Sequence, residues 1–386
     1  MRNIIEQRLQ RVVATLCATL FAVFSFLFVA VYQAPLLEAL YNEVATGKLQ
    51  YNPYLVGGVV SITLTALALW LNRFAKFRRE WTAVAYLPSS LLLAFITDVD
   101  RSLYVGEKSY MGWCVIFILG IILYIVLSCF LRKMLFDKIK YMAMTTNRVV
   151  WRNLILLVLL VCIVGTLSNG EENFKRETLV MSYYNDGKVE KALNVGKNSD
   201  DATRELTVMR AYILATNGQL GEHLFEYVQH YATDGLLPLP QRTSSLVPDS
   251  VYSIIGAKPF ADEESTTFLS RVAHADSATS VAREYYLASL LLEKRIVKFK
   301  DEVIAFFGVG SIDSLPKHYR EALALYLDVS CDSAVTVPFK INDQAMLSRL
   351  NALRAEEARH SDVFVRGNYV RRDFGDTYWW YFIYSN

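Results

Sequence analysis

The sequence predicts an all-α protein in two parts: five transmembrane helices within residues 1–168, then an extracytoplasmic α-helical domain over residues 169–386. Three observations predict it. Five apolar runs, with no Asp, Glu, Lys, Arg or His in their interiors, are confined to the first 167 residues. Residues 1–168 hold 16 Lys+Arg and 8 Asp+Glu, leaving 24 and 30 of the chain's 40 and 38 for the rest, so a basic half precedes an acidic one. Beyond residue 168 the apolar residues recur at helical spacing, punctuated by glycines.

The first run, 12–32, is 21 residues without a charge. The second is 54–71, the third 81–97 with Pro88 inside it, the fourth 111–131 and the fifth 153–167, which Val150 and Trp151 before Arg152 extend to a span of about 150–167. A hydrocarbon core of about 30 Å needs about 20 residues of helix. The third and fifth runs are short, so tilt, thinning or interfacial side chains must make up the difference. Trp81, Trp113 and Trp151 stand at run ends, where indole rings favour the interface. Gly57 and Gly58 are expected to permit close helix packing, and Ser61, Thr63, Thr65 and Ser128 to make helix–helix contacts. The first run is longer than the apolar region of a cleaved signal and reads as a retained anchor.

Basic residues give the direction. Thirteen lie at the N-terminus and in the second–third and fourth–fifth loops, against Lys48, Arg101 and Lys108 in the other two. The N-terminus is therefore expected in the cytoplasm, and an odd number of spans puts everything after Leu167 outside. The bilayer is the first partner implied. The acidic second half argues against nucleic acid, whose phosphates need a basic face.

Charge-free span interiors argue against a pump or proton-coupled transporter. All five histidines fall at or after His223, which excludes haem ligation and zinc within the bilayer. Four cysteines lie in apolar runs and Cys331 has no companion in the second half, so no disulfide framework is implied. Asp98 and Asp100, after the third span, form the one loop with an acid pair suited to a divalent cation. Two carboxylates alone supply too few ligands, and a solvated turn beside Arg101 is the plainer expectation.

Ser168 to Glu172 is a polar linker with helix-start residues. Leu179, Val180, Tyr183 and Tyr184 then make an apolar face, Asp186-Gly187 ends it, and Ala192, Leu193 and Val195 begin another. With Leu179, Tyr183, Gly187 and Ala192 at the expected offsets, this stretch resembles a tetratricopeptide repeat (TPR), although Val180 fills its small-residue position. A second, degenerate unit places Gly218 31 residues after Gly187, against a period of about 34. Helices are expected at about 278–293, 296–307, 317–329 and 342–360, the third preceded by Pro316. Asp234 to Pro248, with Pro238 and Pro240, reads as a long loop. The resemblance implies stacked helical hairpins.

From Phe364 the helical pattern is expected to break. Tyr378 to Tyr384 are seven consecutive large apolar or aromatic residues, too much surface to leave in water. Capping of the helical stack is the favoured reading. Arg371, Arg372, Trp379 and Trp380 are the candidate partner-binding residues if the tail docks elsewhere.

The stretches Ala30 to Leu37, Tyr51 to Gly57, Tyr86 to Asp98 and Gly375 to Tyr384 resemble an uncharacterised Bacteroidota family of multi-pass inner-membrane proteins with a periplasmic helical domain. That resemblance implies a Gram-negative inner membrane and carries no catalytic residues.

No HExxH, GxSxG, SxxK or paired CxxC occurs. Gly308-Val-Gly310-Ser311 reads as a helix end. Glu222, His223, Glu226 and His230 are spaced to share one helix face, yet lack a recognisable fourth ligand and supporting groups for zinc. No catalytic residue, metal or cofactor is therefore expected. The leading expectation is a membrane-tethered scaffold that binds another envelope protein or peptide through the outer domain. The alternative is an envelope enzyme acting on a lipid-linked or cell-wall substrate through Asp98 and Asp100.

Overall fold

The computed structural model describes residues 2–45, 51–75, 77, 79–105, 108–136, 146–168, 171–197, 199, 201–239, 248–308, 312–330 and 341–385. The described residues form helices joined by turns, with no strand among them. They divide into two units, Met1–Thr178 and Leu179–Asn386.

Five helical stretches of the first unit are long and apolar enough to cross a membrane: Gln10–Tyr32, Pro53–Ala75, Glu80–Thr97, Met111–Leu131 and Asn147–Leu167. They coincide with the five apolar runs. Helix α1 (Arg2–Leu27) passes into a π-helical turn, Phe28–Tyr32, and α2 (Ala34–Ala45) follows. Helix α3 (Pro53–Ala75) packs along α1. It also meets the π-helical turn closely at Gly57, where a Cβ would stand 2.7 Å from that of Ala30. Gly58 has open space instead, so only one of the two glycines serves packing. Polar span residues tie the pair: Ser61 donates to the Ala22 carbonyl at 2.7 Å, and Ser25 to Ser61 Oγ at 3.1 Å.

The third span is the buried centre of the bundle. A 3-10 segment, Arg79–Tyr86, precedes α4 (Leu87–Thr97), whose first turn carries Pro88. Proline lacks an N–H and clashes with the preceding turn, which breaks a continuous α-helix here. Irregular backbone at membrane depth must be enclosed by protein and satisfied. Accordingly 67% of this span is buried against 6% of the fourth, and Asn153 Oδ1 accepts the Ala83 N–H at 2.9 Å. A short α5 (Arg101–Val105) precedes the exposed apolar α6 (Met111–Phe136), and α7 (Thr146–Leu167) packs on the 3-10 segment and α4. Of the three tryptophans, Trp151 is exposed, Trp81 lies under the Arg152 guanidinium at 5.1 Å, and Trp113 is buried.

Helix α8 (Glu172–Asn185) starts within the first unit, because Phe174 packs with Leu36 and Val99 there. In the second unit α9 (Val189–Asn194), α10 (Arg204–Thr216), α11 (Leu220–His223), α12 (Pro248–Ile255), α13 (Ser265–Ala273), α14 (Ser280–Leu292), α15 (Ile296–Phe307), α16 (Lys317–Ser330) and α17 (Gln344–Arg359) follow in order. The expected Pro-rich loop holds a 3-10 turn at Ala232–Gly235 before its undescribed part, 240–247.

Three hairpins close with the same two bonds. After α8, the Gly187 N–H donates to Tyr184 O (2.9 Å) and the Lys188 N–H to Tyr183 O (2.8 Å). After α10, Gly218 and Gln219 reach Ala215 O (3.1 Å) and Leu214 O (2.8 Å). After α14, Lys294 and Arg295 reach Leu291 O (3.0 Å) and Leu290 O (2.9 Å). This pair of bonds needs a left-handed residue at the turn. Gly187, Gly218 and Lys294 supply it with φ of 73°, 64° and 58°.

The break expected from Phe364 does not occur. Two helices form there, α18 (Val363–Phe374) and α19 (Tyr378–Tyr384). Asp362 caps the first by accepting from the N–H groups of Phe364 (2.8 Å) and Val365 (3.0 Å); Thr377 caps the second by accepting from Trp380 (3.2 Å). These caps satisfy N–H groups that have no partner within the helix.

Candidate functional site

Asp98 ends α4 and Asp100 begins α5. Asp100 accepts from Ser102 Oγ (2.7 Å) and the Leu103 N–H (3.2 Å), an N-cap geometry. Both carboxylates converge on one cation, as two acids in a loop do for a divalent ion. The cation is Lys108, its Nζ 2.8 Å from Asp98 Oδ2 and 3.3 Å from Asp100 Oδ2, and it also donates to the Asp98 carbonyl. Trp113 Nε1 donates to Asp98 Oδ2 at 2.7 Å. Both acids are thus half-buried and paired with Lys108, where the sequence leads one to expect a solvated turn. Arg101 pairs with the buried Glu177 at 2.8 Å, with its guanidinium 5.5 Å from the Phe174 ring.

His223, Glu226 and His230 do not share a helix face. Helix α11 ends at His223, a 3-10 turn follows, and Tyr227 is extended before His230 is reached. The packing of α16 enforces this exit. Glu222 Oε2 accepts the Lys317 N–H (2.7 Å) and so caps α16, while the Phe225 N–H donates to His318 Nε2 (3.3 Å). Glu226 pairs with Lys197 (2.7 Å) and His223 (2.7 Å). Burial pushes its carboxyl up, but those hydrogen bonds and charges outweigh burial and hold it below the usual range. Among the described residues no group of three or more His, Cys, Asp or Glu is placed to hold a metal.

The aromatic tail is folded into the second unit. Tyr378, Trp379 and Tyr381 are buried in its core. The Tyr378 N–H donates to Glu321 Oε2 (2.8 Å), Trp379 Nε1 to the Glu321 carbonyl (2.7 Å) and the Tyr381 hydroxyl to the Leu292 carbonyl (2.8 Å). Lys294 donates to the Ser385 carbonyl. Trp380 is half-buried with Arg371 5.3 Å from its ring, and Arg372 pairs with Asp373. Of the four candidate partner-binding residues, Trp379 is thus enclosed within the fold while Arg371 and Arg372 stay exposed. Arg371 and Arg372 share α18 with Val363, Phe364 and Tyr369, all exposed.

The residues expected at repeat positions lie along the first hairpin. Ala192 is buried, Tyr183 packs on the core, and Leu179 is half-buried beside the buried Val180.

Three enclosed polar groups of α14 and α16 are not marked by any sequence motif. Glu284 is half-buried on α14, its Oε2 is enclosed, and nothing among the described residues donates to it. Burial pushes its carboxyl above the usual range. Next to it Tyr285 is fully buried, and Tyr319 of α16 is 1% exposed; both hydroxyls lack a partner among the described residues. Burial pushes both phenols far up, and the nearby Glu284 charge adds to it. Gly221 makes room for Tyr319, since a Cβ there would stand 2.9 Å from the Tyr319 Cζ. The one signal in the sequence is an acid placed one residue before the apolar stretch from Tyr285 to Leu292.

The sequence profile of the family of unknown function (DUF6057) matches residues 4–261 and 257–385, and the chain belongs to that family. No match is found among curated proteins. None is found among solved structures.

Proposed function

We propose that this member of the DUF6057 family is a membrane-anchored scaffold. Its TPR-like second unit binds a protein or peptide on the outer, periplasmic side of a bacterial inner membrane. The observation that carries the reading is the hairpin turn repeated at Gly187, Gly218 and Lys294 with the same pair of bonds. Stacked hairpins of this kind present extended surfaces for partners. The basic asymmetry of thirteen against three favours a cytoplasmic N-terminus, and five spans then put the second unit outside. Asp98 and Asp100, the residues of the enzyme alternative, are bonded to Lys108 and Trp113.

The test is crosslinking in native membranes with a photoreactive residue in place of Tyr184 on α8, followed by purification of the full chain. A discrete adduct, competed by unlabelled protein, is the expected result. Only lipid adducts, at crosslinker doses that label a known membrane complex, would overturn the reading.

A further inference from the structure

Among the described residues of the second unit nine large apolar side chains stand exposed, and four of them fall between Val363 and Tyr369 on α18. Val363, Phe364 and Val365 are consecutive, and Phe364 is 86% exposed. Three apolar residues in a row facing water work against folding and solubility unless something covers them. The other side of α18 fixes its orientation. Val370 and Phe374 are buried, and a Cβ at Gly367 would stand 3.3 Å from the Tyr384 ring of α19. Two stripes run along the outward side at spacings of four and three residues. One holds Phe364, Asn368 and Arg371, the other Val365, Tyr369 and Arg372, and all of these are exposed. The Arg372 guanidinium lies 5.9 Å from the Tyr369 ring, which stacks on His360 at 4.4 Å. The face is thus apolar at its N-terminal end and cationic at its C-terminal end.

The charge sets this face apart from the rest of the unit. Helix α18 carries three arginines against Asp373, within a stretch, 169–386, that is acidic with 24 Lys+Arg against 30 Asp+Glu. Asp373 pairs with Arg372 at 3.1 Å on the surface, where such pairs contribute little, so a phosphate can compete for the guanidinium. Asp362, the acid at the apolar tip, accepts from the Phe364 and Val365 N–H groups. An apolar tip followed by arginines fits an anionic bilayer surface. Apolar side chains enter the boundary of the acyl region, a tyrosine ring stays at headgroup depth, and arginine heads reach the phosphates. Five helices of the first unit are long and apolar enough to cross such a bilayer. The covalent tether then raises the effective concentration of lipid at α18, so a small patch suffices.

We infer that the outward face of α18 docks on the anionic phospholipid surface of the bilayer that holds the spans. Val363, Phe364 and Val365 enter that surface, and Arg371 and Arg372 meet its phosphates. The inference goes beyond the scaffold reading and does not rest on it.

The test uses the full chain in nanodiscs, with the native cysteines replaced and nitroxide-labelled lipid in the disc. Asn368→Cys carries an environment-sensitive fluorophore, and Ser277→Cys, in an exposed turn of the same unit, carries it as the control. Discs of phosphatidylcholine alone are compared with discs that also contain phosphatidylglycerol. With phosphatidylglycerol the Asn368→Cys emission should shift to the blue and be quenched by the nitroxide, and the Ser277→Cys emission should not. Salt at about 1 M, where screening acts within about 3 Å, should remove most of that gain. Phe364→Ser, and Arg371→Gln combined with Arg372→Gln, should each lose the quenching. Phe364 is 86% exposed, so Phe364→Ser should keep the wild-type melting temperature in detergent, which separates lost docking from lost folding. No quenching at Asn368→Cys, equal quenching at Ser277→Cys, equal quenching in neutral and anionic discs, or wild-type quenching in Phe364→Ser overturns the inference. A photoreactive residue in place of Phe364 that gives a discrete protein adduct and no lipid adduct in native membranes assigns this face to a protein partner and overturns it as well. The scaffold is scored separately, by capture from Tyr184, so either reading can fail alone.

Discussion

Glu321 Oε2 receives both the Tyr378 N–H at 2.8 Å and His318 Nδ1 at 2.9 Å, so one buried carboxylate joins α16 to the first residue of α19. His318 Nε2 meanwhile accepts the Phe225 N–H at 3.3 Å, which puts the ring proton on Nδ1, facing Glu321. The chain from Phe225 through His318 and Glu321 to Tyr378 is continuous and enclosed.

Glu321→Ala leaves two buried donors, the Tyr378 N–H and His318 Nδ1–H, without an acceptor. Each costs about 1–3 kcal/mol, so the full chain should lose about 2–6 kcal/mol. Removing residues 375–386 should lower the melting temperature at least as much, by exposing the surface that Trp379 and Tyr381 cover. Melting of both variants in detergent checks this. A truncated chain as stable as the wild type would show that the tail does not cap the helical stack.

The tail is also pinned by Asp376, which accepts from Lys317 Nζ (2.9 Å) and Arg349 Nη2 (2.7 Å). Burial raises its carboxyl, but the two cations outweigh burial and hold it below the usual aspartate range. With the folded value lowered, the contribution to stability is fully present above the unfolded value of about 3.9 and is lost as pH falls through the folded one. Wild type should therefore lose stability more steeply below pH ~4 than Asp376→Asn does. Parallel acid-unfolding curves for the two proteins would contradict this.

The spans are readable in the sequence because a bilayer demands a long charge-free run, and nothing soluble imitates five of them. Gly187 and Gly218 are readable because glycine is the common residue at a left-handed turn. Lys294 is not, because a lysine carries no such mark; it takes the third turn at φ 58° and holds Ser385 with its ammonium group. Helices α18 and α19 escape a sequence reading although Asp362 and Thr377 are ordinary N-cap residues, since the aromatic run hides the helical spacing. The role of Lys108 is hidden for another reason: the acids it neutralises lie across a loop, and sequence spacing does not say which cation a loop folds onto Asp98.

Lys108 holds two carboxylates together, and its side chain is 7% exposed. Lys108→Ala should destabilise the protein by about 1–3 kcal/mol, because Asp98 and Asp100 then repel without a counter-charge. The two acids would converge on an empty position suited to an oxygen-liganded ion. Millimolar calcium should raise the melting temperature of Lys108→Ala and leave that of the wild type unchanged. No calcium effect on the variant would mean that the acids separate once the lysine is gone.

Gly187 and Lys294 occupy equivalent turns, and the space around Gly187 is open: a Cβ added there would meet nothing within 4 Å. Any penalty there is conformational and not steric crowding. Gly187→Ala should cost about 1–2 kcal/mol, the ordinary penalty of a left-handed L-residue. Gly187→Asn should cost less, since asparagine visits that region more readily. Lys294→Gly relieves the same strain but gives up the Ser385 contact, and the two effects should nearly cancel. Thermal melts of the three variants test this, and equal losses for Gly187→Ala and Gly187→Asn would show that the turn does not need a left-handed residue.

The orientation can be tested with two cysteines on a background in which Cys17, Cys114, Cys129, Cys162 and Cys331 are replaced by serine or alanine. Lys188 follows the first hairpin turn and is exposed; Arg148 stands at the start of α7 and is also exposed. Arg148 belongs to the thirteen basic residues that the positive-inside rule assigns to the cytoplasm. In cells with a permeabilised outer membrane, an impermeant maleimide should label Lys188→Cys and spare Arg148→Cys, and detergent should make both reactive. Exposure of both positions means that failure to react reports the membrane barrier and not burial in the fold. Labelling of Arg148→Cys with Lys188→Cys protected would invert the topology. The second unit would then face the cytoplasm, and its partner would have to be sought there.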